Sequence, residues 1–575
     1  MIKKMVKAVL KNITIIDILE AINKKYGDAI ALRINMKDDS FRQISYIELG
    51  RRTADVSASL MRLGVEKGDR IAILSESRPE WAIAFFGIVS CGGITVPMDI
   101  KLSDAEIEFI LNDSGAKCIF VSQKLLEAIL RIKPKLSFLQ NIICLDEVGQ
   151  GVLLLKDFKA VEKEITNRDI QAVDTALIIY TSGTTGIAKG VEITYKNLFF
   201  EVMSLNDYIH FSSDDNFLSI LPLNHMLELT GGLIAPLYAG ACVTYCDSLK
   251  PPVLMRLMQE TKATTMICVP LVLKMFHNGI MKKIDSSEPR KKKMFYRMLG
   301  LSKFLLNFNV RIGRTLFTEL HNQFGGHLKC FVSGGAPLDP HVEEDFHALG
   351  FNVLQGYGLT ETAPVITVNT FSERKYTSVG IPLKGVEVKI LKANKGDREG
   401  EILVRGPNVM RGYYKNKEKT DEVLKDGWFY TGDIGYIDDD GFLYITGRIK
   451  NMIVLGGGKK VHPEEIEEVI SKSPFIKEMC VLGKKATAGL KAGTEEVFAV
   501  IVPNIDAFSK EEKQNQELIK AKITSEINRL TNDLAEYKKI PDFMLYFDEL
   551  PKTSTRKIKR KEVLETIVNT NMRGE

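Results

Sequence analysis

Apolar side chains in the first half of the chain alternate between helical spacing and short continuous runs. One stripe predicts an amphipathic helix over residues 46–63 and is formed by Leu49, Thr53, Val56, Leu60 and Leu63. Short runs that indicate buried strands lie at residues 71–74, 94–96 and 118–121. Strands without polar alternation are typical of parallel sheets covered by helices on both faces. The pattern therefore predicts an α/β fold built from parallel-rich βαβ sheets.

Two uncharged stretches, residues 81–98 and 229–246, approach the length of a membrane-spanning helix. Each contains Gly-Gly and a proline, which interrupt a continuous helix, so we expect helix–turn–strand units in both places. The first twelve residues are basic and apolar but lack a small-residue cleavage site after a hydrophobic core. We therefore expect neither a spanning helix nor a signal peptide.

The pattern changes near residue 381 to short strands separated by turns, which predicts an antiparallel or β-barrel-like subdomain. A smaller α+β unit is predicted after it. Its predicted elements are a helix that starts at Pro463, strands at residues 480–482 and 497–502, and a long helix around residues 510–534. We therefore expect an N-terminal domain over residues 1–449 and a C-terminal domain over residues 450–575.

Composition narrows the class of protein. The chain has 575 residues, of which 45% are hydrophobic and 26% are charged, as in an ordinary globular protein. A net charge of +5 is small for this length, so bulk charge gives no support to nucleic-acid binding. Eight scattered cysteines lack metal-ligand spacing and form no disulfide framework, which favours a reducing cytoplasm.

Residues 281–297 depart from the pattern because basic residues crowd around a Met-Phe-Tyr run. The basic residues are Lys282, Lys283, Arg290, Lys291, Lys292, Lys293 and Arg297, and the run is Met294, Phe295 and Tyr296. Two interpretations remain open. One is a solvated helical insertion, since charge runs are usually solvated faces, and the other is peripheral contact with the inner face of a membrane.

The segment after the apolar run at residues 176–179 combines four hydroxyls, three glycines and a lysine in one loop. Glycines let backbone N–H groups turn toward an anion, while the hydroxyls and the ammonium add donors and charge. The residues are Thr181, Ser182, Gly183, Thr184, Thr185, Gly186, Lys189 and Gly190. A phosphate-binding loop is predicted. It differs from the common P-loop because no Gly-Lys-Ser/Thr stands at the required spacing.

Three further segments share this composition. The first follows a predicted strand and contains Gly334, Gly335, Ala336 and Pro337. The second places an aromatic ring, a hydroxyl and a carboxylate close together and contains Gly356, Tyr357, Gly358, Thr360 and Glu361. The third contains Asp433 after Tyr-Thr-Gly, with Arg448 downstream.

Taken in this order, the four segments resemble the adenylate-forming superfamily of acyl-CoA synthetases, luciferases and non-ribosomal adenylation domains. The resemblance runs from about residue 46 to residue 561. It implies a large N-terminal domain, a hinge, and a small α+β C-terminal domain that rotates between two half-reactions. It also implies ATP and Mg²⁺ as ligands and coenzyme A (CoA) as co-substrate.

The resemblance implies a role for each matching residue. Those implied to hold the β- and γ-phosphates of ATP are Thr181, Ser182, Gly183, Thr184, Thr185, Gly186 and Lys189. Those implied around the nucleoside are Gly334, Gly335, Ala336 and Pro337 at adenine, Tyr357 between Gly356 and Gly358 on its other face, and Asp433 at the ribose with Arg448 nearby. Those implied at the reacting groups are Thr360 at the α-phosphate, Glu361 and Thr181 at Mg²⁺, His225 at the carboxylate, and Lys557 as the catalytic lysine of the C-terminal domain. Lys450 is implied as the hinge, and Gly458 as part of the pantetheine path.

Two positions depart from the family pattern. Arg556 replaces the glycine that usually precedes the catalytic lysine, so Lys552 and Lys559 remain alternatives to Lys557. Tyr195 stands where many members have a histidine in Thr-His-x-Asn.

The activated acid is interpreted from the segment around His225. Amino-acid-activating relatives usually carry Phe-Asp-x-Ser just after this position, and the stretch is absent here. Residues 269–276, followed by the basic insertion, resemble long-chain fatty acyl-CoA synthetases, so we expect activation of a fatty acid and its transfer to CoA. Two alternatives remain open: transfer to the pantetheine of an acyl carrier protein, and a non-catalytic nucleotide-binding membrane scaffold.

Overall fold

The computed structural model describes residues 15–36, 38–147, 151–160, 169–181, 188–246, 248–455, 459–485, 495–552 and 558–568. The chain forms two compact units. Unit 1 comprises Met1–Glu387 and Val404–Phe429, and unit 2 comprises Val388–Leu403 and Tyr430–Glu575.

The α-helices have the following bounds: α1 Ile15–Tyr26, α2 Tyr46–Arg62, α3 Pro79–Ser90, α4 Asp104–Ser114, α5 Gln123–Ile132, α6 Tyr195–Ile209, α7 Ala235–Ala239, α8 Pro251–Thr261, α9 Pro270–Asp285, α10 Pro289–Leu306, α11 Gly313–Leu316, α12 Thr318–Gln323, α13 Pro340–Ala348, α14 Lys417–Val423, α15 Pro463–Ile470, α16 Gln516–Leu530 and α17 Arg560–Glu562. Short 3₁₀ turns lie at Lys133–Lys135, Leu155–Asp157, Thr360–Thr362, Ile449–Asn451, Ile505–Ala507, Glu512–Gln514 and Glu536–Lys538, and π-helical turns at Leu227–Ile234 and Val563–Val568.

The strands have the following bounds: β1 Ile30–Asn35, β2 Phe41–Ser45, β3 Arg70–Leu74, β4 Ile94–Met98, β5 Cys118–Val121, β6 Asn141–Cys144, β7 Leu153–Leu154, β8 Thr175–Thr181, β9 Lys189–Thr194, β10 Asn216–Ser219, β11 Cys242–Tyr245, β12 Thr265–Cys268, β13 Cys330–Ser333, β14 Val353–Tyr357, β15 Thr367–Val368, β16 Ile381–Pro382, β17 Glu387–Leu391, β18 Gly400–Arg405, β19 Gly412–Tyr413, β20 Leu424–Lys425, β21 Trp428–Ile437, β22 Leu443–Arg448, β23 Ile453–Val454, β24 Lys460–Val461, β25 Ile476–Lys485, β26 Glu495–Pro503 and β27 Asp542–Leu545.

Unit 1 contains two large sheets with parallel centres. The nine-stranded sheet has the order β16-β15-β14-β13-β12-β10-β11-β1-β2 and is parallel from β14 to β1. The eight-stranded sheet has the order β19-β9-β8-β4-β3-β5-β6-β7 and is parallel from β8 to β7. Antiparallel strands lie at their edges, including β9 beside β8. The predicted α/β fold with parallel-rich sheets is confirmed.

The helix boundaries follow from local capping. The predicted helix at residues 46–63 is confirmed as α2, whose N-cap Ser45 accepts a hydrogen bond from Glu48 N. It ends before Gly64, which has a positive φ of 80°. A capping box starts α4, because Ser103 and Glu106 each bond the other's backbone N–H.

The two uncharged stretches fold as expected. Residues 81–98 form most of α3, a turn and β4, and residues 229–246 form a π-helical turn, α7 and β11. Within the described ranges, no helix combines the length and the apolar character needed to cross a membrane.

Tyr195, which departs from the family pattern, is the first residue of α6 and has a structural role there. Its buried hydroxyl donates a 2.9 Å hydrogen bond to Val89 O at the end of α3. The helix is capped by Thr194 and Asn197, which form a capping box. Tyr195 therefore serves the packing of α6 against α3.

The region from residue 387 contributes a sheet formed by β17, β18, β20, β21 and β22, with antiparallel pairs β20–β21 and β21–β22. Unit 2 also has a three-stranded sheet of order β25-β26-β27. Pro463 begins α15, as predicted. The predicted helix at residues 510–534 is too long, because α16 starts only at Gln516. Asn515 caps it by accepting from the backbone N–H groups of Glu517 and Leu518.

Candidate active site

Two antiparallel strands flank the predicted phosphate loop. β8 ends at Thr181 and β9 begins at Lys189, and these two residues face each other across the strand pair. Gly190 lets the strands approach, because a Cβ atom there would lie 2.7 Å from Ile178 Cγ2. The structure thus fixes both ends of the loop. The loop residues that lie outside the described ranges are Ser182, Gly183, Thr184, Thr185 and Gly186.

Tyr413 connects Lys189 with Glu361, although no sequence motif singled it out. The Lys189 ammonium lies 5.2 Å from the centre of the Tyr413 ring, a cation–π distance. The Tyr413 hydroxyl donates a 3.0 Å hydrogen bond to Glu361 Oε1. Tyr413 belongs to β19, which pairs with β9 through Val191. A cation and a carboxylate from distant parts of the chain are therefore held on one tyrosine.

The Tyr413 hydroxyl keeps its proton in this position. Burial raises its pKa well above the usual value, and the negative charge of Glu361 and the hydrogen bond to it raise the pKa further. Only the neutral phenol can donate to a carboxylate. Tyr413 therefore orients Glu361 through Oε1, while Oε2 has no hydrogen-bond partner in the described part of the chain and stays available as a ligand.

Glu361 lies in the 3₁₀ turn Thr360–Thr362, which follows β14. Leu359 N donates to Thr362 Oγ1 at 3.0 Å and fixes the entry to the turn. Gly358 is required just before it, because a Cβ atom there would lie 1.8 Å from Pro364 O. The turn therefore presents Thr360 and Glu361 at the carboxyl end of a parallel strand, where α/β sheets commonly bind ligands.

The predicted adenine segments follow neighbouring strands. β13 and β14 are parallel, and Ser333 pairs with Gln355 at their carboxyl ends. A Cβ atom at Gly334 would lie 3.3 Å from Leu227 Cδ2 and 3.5 Å from Gly356 O, so the glycine keeps a cradle open. Gly335 has a positive φ of 83°, which favours glycine. Gly334 thus lies beside Gly356, and the two predicted adenine segments leave neighbouring strands at the same edge of the sheet.

Ser333 Oγ is a buried polar atom at this cradle with no hydrogen-bond partner among the described residues. An unpaired buried hydroxyl costs free energy, so a water molecule or a ligand that bonds it is favoured. A polar ligand edge beside Gly334 could satisfy it. Tyr357, on the neighbouring strand, is largely buried.

His225 lies in the turn that leads from β10 to the π-helical turn Leu227–Ile234. Its backbone N–H donates to Pro222 O at 3.1 Å. Its Nε2 lies 3.9 Å from Asp99 Oδ2, in the segment after β4, and its side chain is 31% exposed. The imidazole is therefore partly exposed rather than buried.

Glu228, three residues later, is fully buried in the π-helical turn. It accepts a 2.5 Å hydrogen bond from Ser219 Oγ, and no described residue bonds its Oε2. Burial raises the pKa of its carboxyl from 4.5 to about 8, and the Ser219 bond lowers it only in part. Glu228 is therefore protonated at neutral pH.

Glu228→Gln is expected to remove a pH-dependent cost to stability. Between pH 4.5 and about 8 the folded state holds a proton that the unfolded chain has lost, so stability falls as pH rises. The slope approaches about 1.4 kcal/mol per pH unit. Glutamine is neutral and can still accept a hydrogen bond from Ser219. The melting temperature of the variant should therefore rise relative to that of the parent protein as the pH increases from 5.5 to 7.5. Exposed Glu127→Gln is the matched control, and parallel profiles for all three proteins would contradict the burial effect.

Unit 2 carries a second group of predicted residues. Asp433 and Arg448 face each other on β21 and β22. Arg448 Nε donates to Asp433 Oδ1, and Arg448 Nη2 lies 3.4 Å from Asp433 Oδ2. Asp433 is buried and Arg448 is half exposed. The ion pair holds a buried carboxylate in a defined orientation.

An isolated antiparallel β-bridge pairs the backbones of Lys552 and Ile558, the residues on either side of the segment that contains the predicted catalytic lysine. The Lys552 ammonium is largely buried and contacts Glu478 at 2.6 Å and Glu549 at 2.9 Å. These ion pairs give Lys552 a structural role in unit 2. The predicted residues here and upstream that lie outside the described ranges are Gly458, Arg556 and Lys557.

Arg560 anchors the residues that follow this segment. Its guanidinium donates to both oxygens of Glu467, at 2.5 and 2.6 Å, in a bidentate pair. It also lies 3.4 Å from Glu464 Oε1, which accepts a 2.7 Å hydrogen bond from Asn451 Nδ2. Asn451 adjoins Lys450, the predicted hinge, in the 3₁₀ turn Ile449–Asn451. Glu464 therefore connects the tail of the chain with the hinge segment.

Comparison with known proteins agrees with this arrangement of motifs. A family model described as AMP-binding enzyme matches residues 19–414, and one described as AMP-binding enzyme C-terminal domain matches residues 450–569. The long-chain-fatty-acid–CoA ligase FadD15 of Mycobacterium bovis is 30% identical over 467 residues, which cover 78% of this chain and 76% of the relative. The chloroplastic long-chain-fatty-acid–[acyl-carrier-protein] ligase AEE15 of Arabidopsis thaliana is 28% identical, with 90% and 80% covered.

Among solved structures, ATP-bound MatB from Rhodopseudomonas palustris superposes with a TM-score of 0.76 at 27% identity, covering 96% of this chain and 99% of MatB. The first family model alone accounts for more than half of the chain, and it includes Lys189, Glu361 and Tyr413. The chain therefore belongs to the family of AMP-binding enzymes.

Proposed function

We propose that this enzyme activates a fatty acid with ATP, releasing pyrophosphate, and then transfers the acyl group to CoA with release of AMP. The observation that carries the proposal is the arrangement of Lys189, Tyr413 and Glu361 beside the ends of a glycine- and hydroxyl-rich loop. This arrangement brings one ammonium and one carboxylate onto the same tyrosine, which supports a role for the first in binding phosphates and for the second in binding a metal. The names of the relatives support a fatty acid as the substrate.

The chemistry explains why these residue types are needed. A fatty carboxylate is already a nucleophile at neutral pH, so the obstacle is its repulsion from the polyphosphate. Negative charge also grows on the α-phosphoryl group as pyrophosphate leaves. Positioning and electrostatic stabilisation lower both barriers. We assign the phosphates to Lys189 and the loop from Thr181 to Gly186, and the α-phosphate to Thr360.

Glu361 would hold Mg²⁺, with Thr181 as a second protein ligand. The described residues contain no cluster of three His, Cys, Asp or Glu side chains that could form a cage for a metal. That suits Mg²⁺, which commonly binds one or two carboxylates together with substrate phosphates and water. When bound, Mg²⁺ supplies charge neutralisation at the phosphates. The residues present therefore fit the ion, with Glu361 oriented for it by Tyr413.

The nucleoside would lie in the cradle beside Gly334. The orphaned Ser333 hydroxyl and the space kept by Gly334 support an adenine edge at this position. We assign Tyr357 to the other face of the base. The ribose hydroxyls are assigned to Asp433, which Arg448 orients.

We further propose that residues 1–449 and 450–575 act as two domains that rotate about Lys450. Lys557 would reach the α-phosphate for adenylation, and Gly458 would line the path of pantetheine in the second conformation. The contacts from Arg560 through Glu464 to Asn451 support a tail that moves together with the hinge segment.

His225 would lie beside the reacting carboxylate, and its partial exposure supports that assignment. The pantetheine of an acyl carrier protein is a second candidate acceptor, because the Arabidopsis relative is named as a ligase for acyl carrier protein. Eight free, buried cysteines support a reducing cytoplasm as the compartment. We also propose peripheral contact at the inner face of the membrane.

The test is product analysis with labelled ATP, a series of fatty acids, and either CoA or pantetheinylated acyl carrier protein. We expect AMP and pyrophosphate in equal amounts, and a thioester of CoA. Acid-dependent ADP would contradict the adenylation chemistry. Thioester formation on the carrier protein alone would leave adenylation standing and change the acceptor. No acid-dependent turnover at all would favour the non-catalytic scaffold.

A further inference from the structure

Helix α10 presents one face that is exposed among the described residues of unit 1. Phe295, Leu299 and Ser302 form its buried side, and Ser302 Oγ donates to Ala348 O at 2.6 Å. The opposite face follows the spacing i, i+3, i+7, i+11, i+14 and i+18, which is one stripe of a helix and the turn after it. The stripe consists of Arg290, Lys293, Arg297, Leu301, Phe304 and Phe308, and we call it the α10 stripe.

The apolar half of the α10 stripe is open to solvent. Leu301 is 50% exposed, Phe304 59% and Phe308 65%, and Met294 beside the stripe is 59% exposed. The Phe304 and Phe308 rings contact each other, with centroids 5.3 Å apart. Single exposed apolar residues need no explanation, but a contiguous group of this kind marks an interaction surface.

The basic residues at the start of α10 and along it differ in whether a described carboxylate pairs with them. Lys292 and Lys303, which point away from the stripe, pair with Asp285 at 3.0 Å and with Asp345 at 2.6 Å. By contrast, no carboxylate in the described part of unit 1 pairs with Arg290, Lys291, Lys293 or Arg297. Arg290 and Lys291 also lie in the first turn of α10, where cations oppose the helix dipole. Their placement is therefore unfavourable unless an anionic surface lies against them.

We propose that the α10 stripe docks on an anionic phospholipid bilayer, with Arg290, Lys293 and Arg297 at the headgroups and Leu301, Phe304 and Phe308 in the interface. Basic and bulky apolar side chains on one helix face are the combination that binds such surfaces. An open depression of about 530 Å³ at the start of α10 is lined by Pro289, Lys292, Lys293, Tyr296 and Arg297. The choice of lipid over an acidic protein rests on the proposed function, because fatty acids partition into bilayers.

The experiment is co-sedimentation of the full chain with phosphatidylcholine vesicles that contain or lack phosphatidylglycerol. The test variant replaces Arg290, Lys291, Lys293 and Arg297 with glutamine. The matched control removes the same charge from exposed lysines elsewhere in unit 1, namely Lys24, Lys101, Lys196 and Lys384. Each lost charge should weaken binding to anionic vesicles on the order of fivefold, so the test variant should lose on the order of a hundredfold or more. The control should bind as the parent protein does.

A second variant, Phe304→Ser with Phe308→Ser, keeps the charge and should weaken vesicle binding by about tenfold or more. Equal binding of parent and test variant, or binding that ignores phosphatidylglycerol, would overturn the proposal. So would capture of purified acyl carrier protein by the stripe without any binding to vesicles. Activity with octanoate in vesicle-free buffer separates the two hypotheses: normal turnover without vesicle binding would refute the docking surface alone.

Discussion

Glu361→Gln is expected to lower the rate of fatty-acid-dependent pyrophosphate release by about 10²–10³-fold. Glutamine keeps the shape of the side chain and can still accept the hydrogen bond from Tyr413, so the fold should be unchanged. It removes the negative charge that we assign to Mg²⁺. The defect should therefore ease as the Mg²⁺ concentration rises, which a structural defect would not do. The measurement is initial rate against Mg²⁺ concentration.

Tyr413→Phe and Glu418→Gln give this prediction its controls. Tyr413→Phe keeps the carboxylate and loses only the 3.0 Å hydrogen bond that orients it, so a smaller loss of about tenfold is expected. Glu418 is exposed on α14, and its replacement should change nothing. Full activity of Glu361→Gln at ordinary Mg²⁺ concentrations would refute the metal assignment.

Lys557→Ala is expected to slow adenylation by about 10²–10³-fold while leaving the second half-reaction intact. One missing ammonium removes a charge-stabilising contact at the α-phosphate. The variant should still form thioester from pre-made acyl-adenylate and CoA, because rotation would have carried the lysine away from that reaction. Lys450→Pro should leave adenylation intact and slow thioester formation, because proline stiffens the hinge segment and hinders the rotation. Separate assays of the two half-reactions provide the measurement.

Variants of the neighbouring lysines test whether Lys557 is the residue that matches the family's catalytic lysine, since Arg556 replaces the usual glycine before it. Lys552→Ala should destabilise unit 2 through its two carboxylates rather than act on adenylation alone. Lys559 forms a surface ion pair of 3.1 Å with Glu562, and its replacement should be nearly silent. If Lys559→Ala reproduced the adenylation defect while Lys557→Ala stayed active, the register would be wrong by two residues. Equal loss of both half-reactions in Lys557→Ala would refute the rotating domain.

Much of the architecture could be predicted because it depends on local patterns. Apolar runs at β3, β4 and β5 and the capping box of Ser103 and Glu106 determine their elements within a few residues. The helix predicted at residues 510–534 is too long at its N-terminal end. The start at Gln516 depends on hydrogen bonds accepted by the Asn515 side chain, which the sequence pattern does not reveal. Sequence patterns thus locate elements better than their ends.

The site could be predicted only where a motif is continuous in the chain. Glu361 and Lys189 stand in such motifs, but Tyr413 joins them through the pairing of β19 with β9, which is a contact of distant segments. Glu228 and Arg560 were missed for the same reason: their importance lies in burial and in partners elsewhere in the sequence. The charge run of α10 was visible, whereas the sorting of its cations into paired and unpaired faces needed the helix geometry.

The most direct test of the central claim is ATP–pyrophosphate exchange without CoA, across fatty acids of increasing chain length. Reversible adenylation predicts that labelled pyrophosphate enters ATP only when a fatty acid is present, and that Glu361→Gln and Lys557→Ala reduce this exchange. Absence of exchange with every acid, or exchange that requires no acid, would contradict the account.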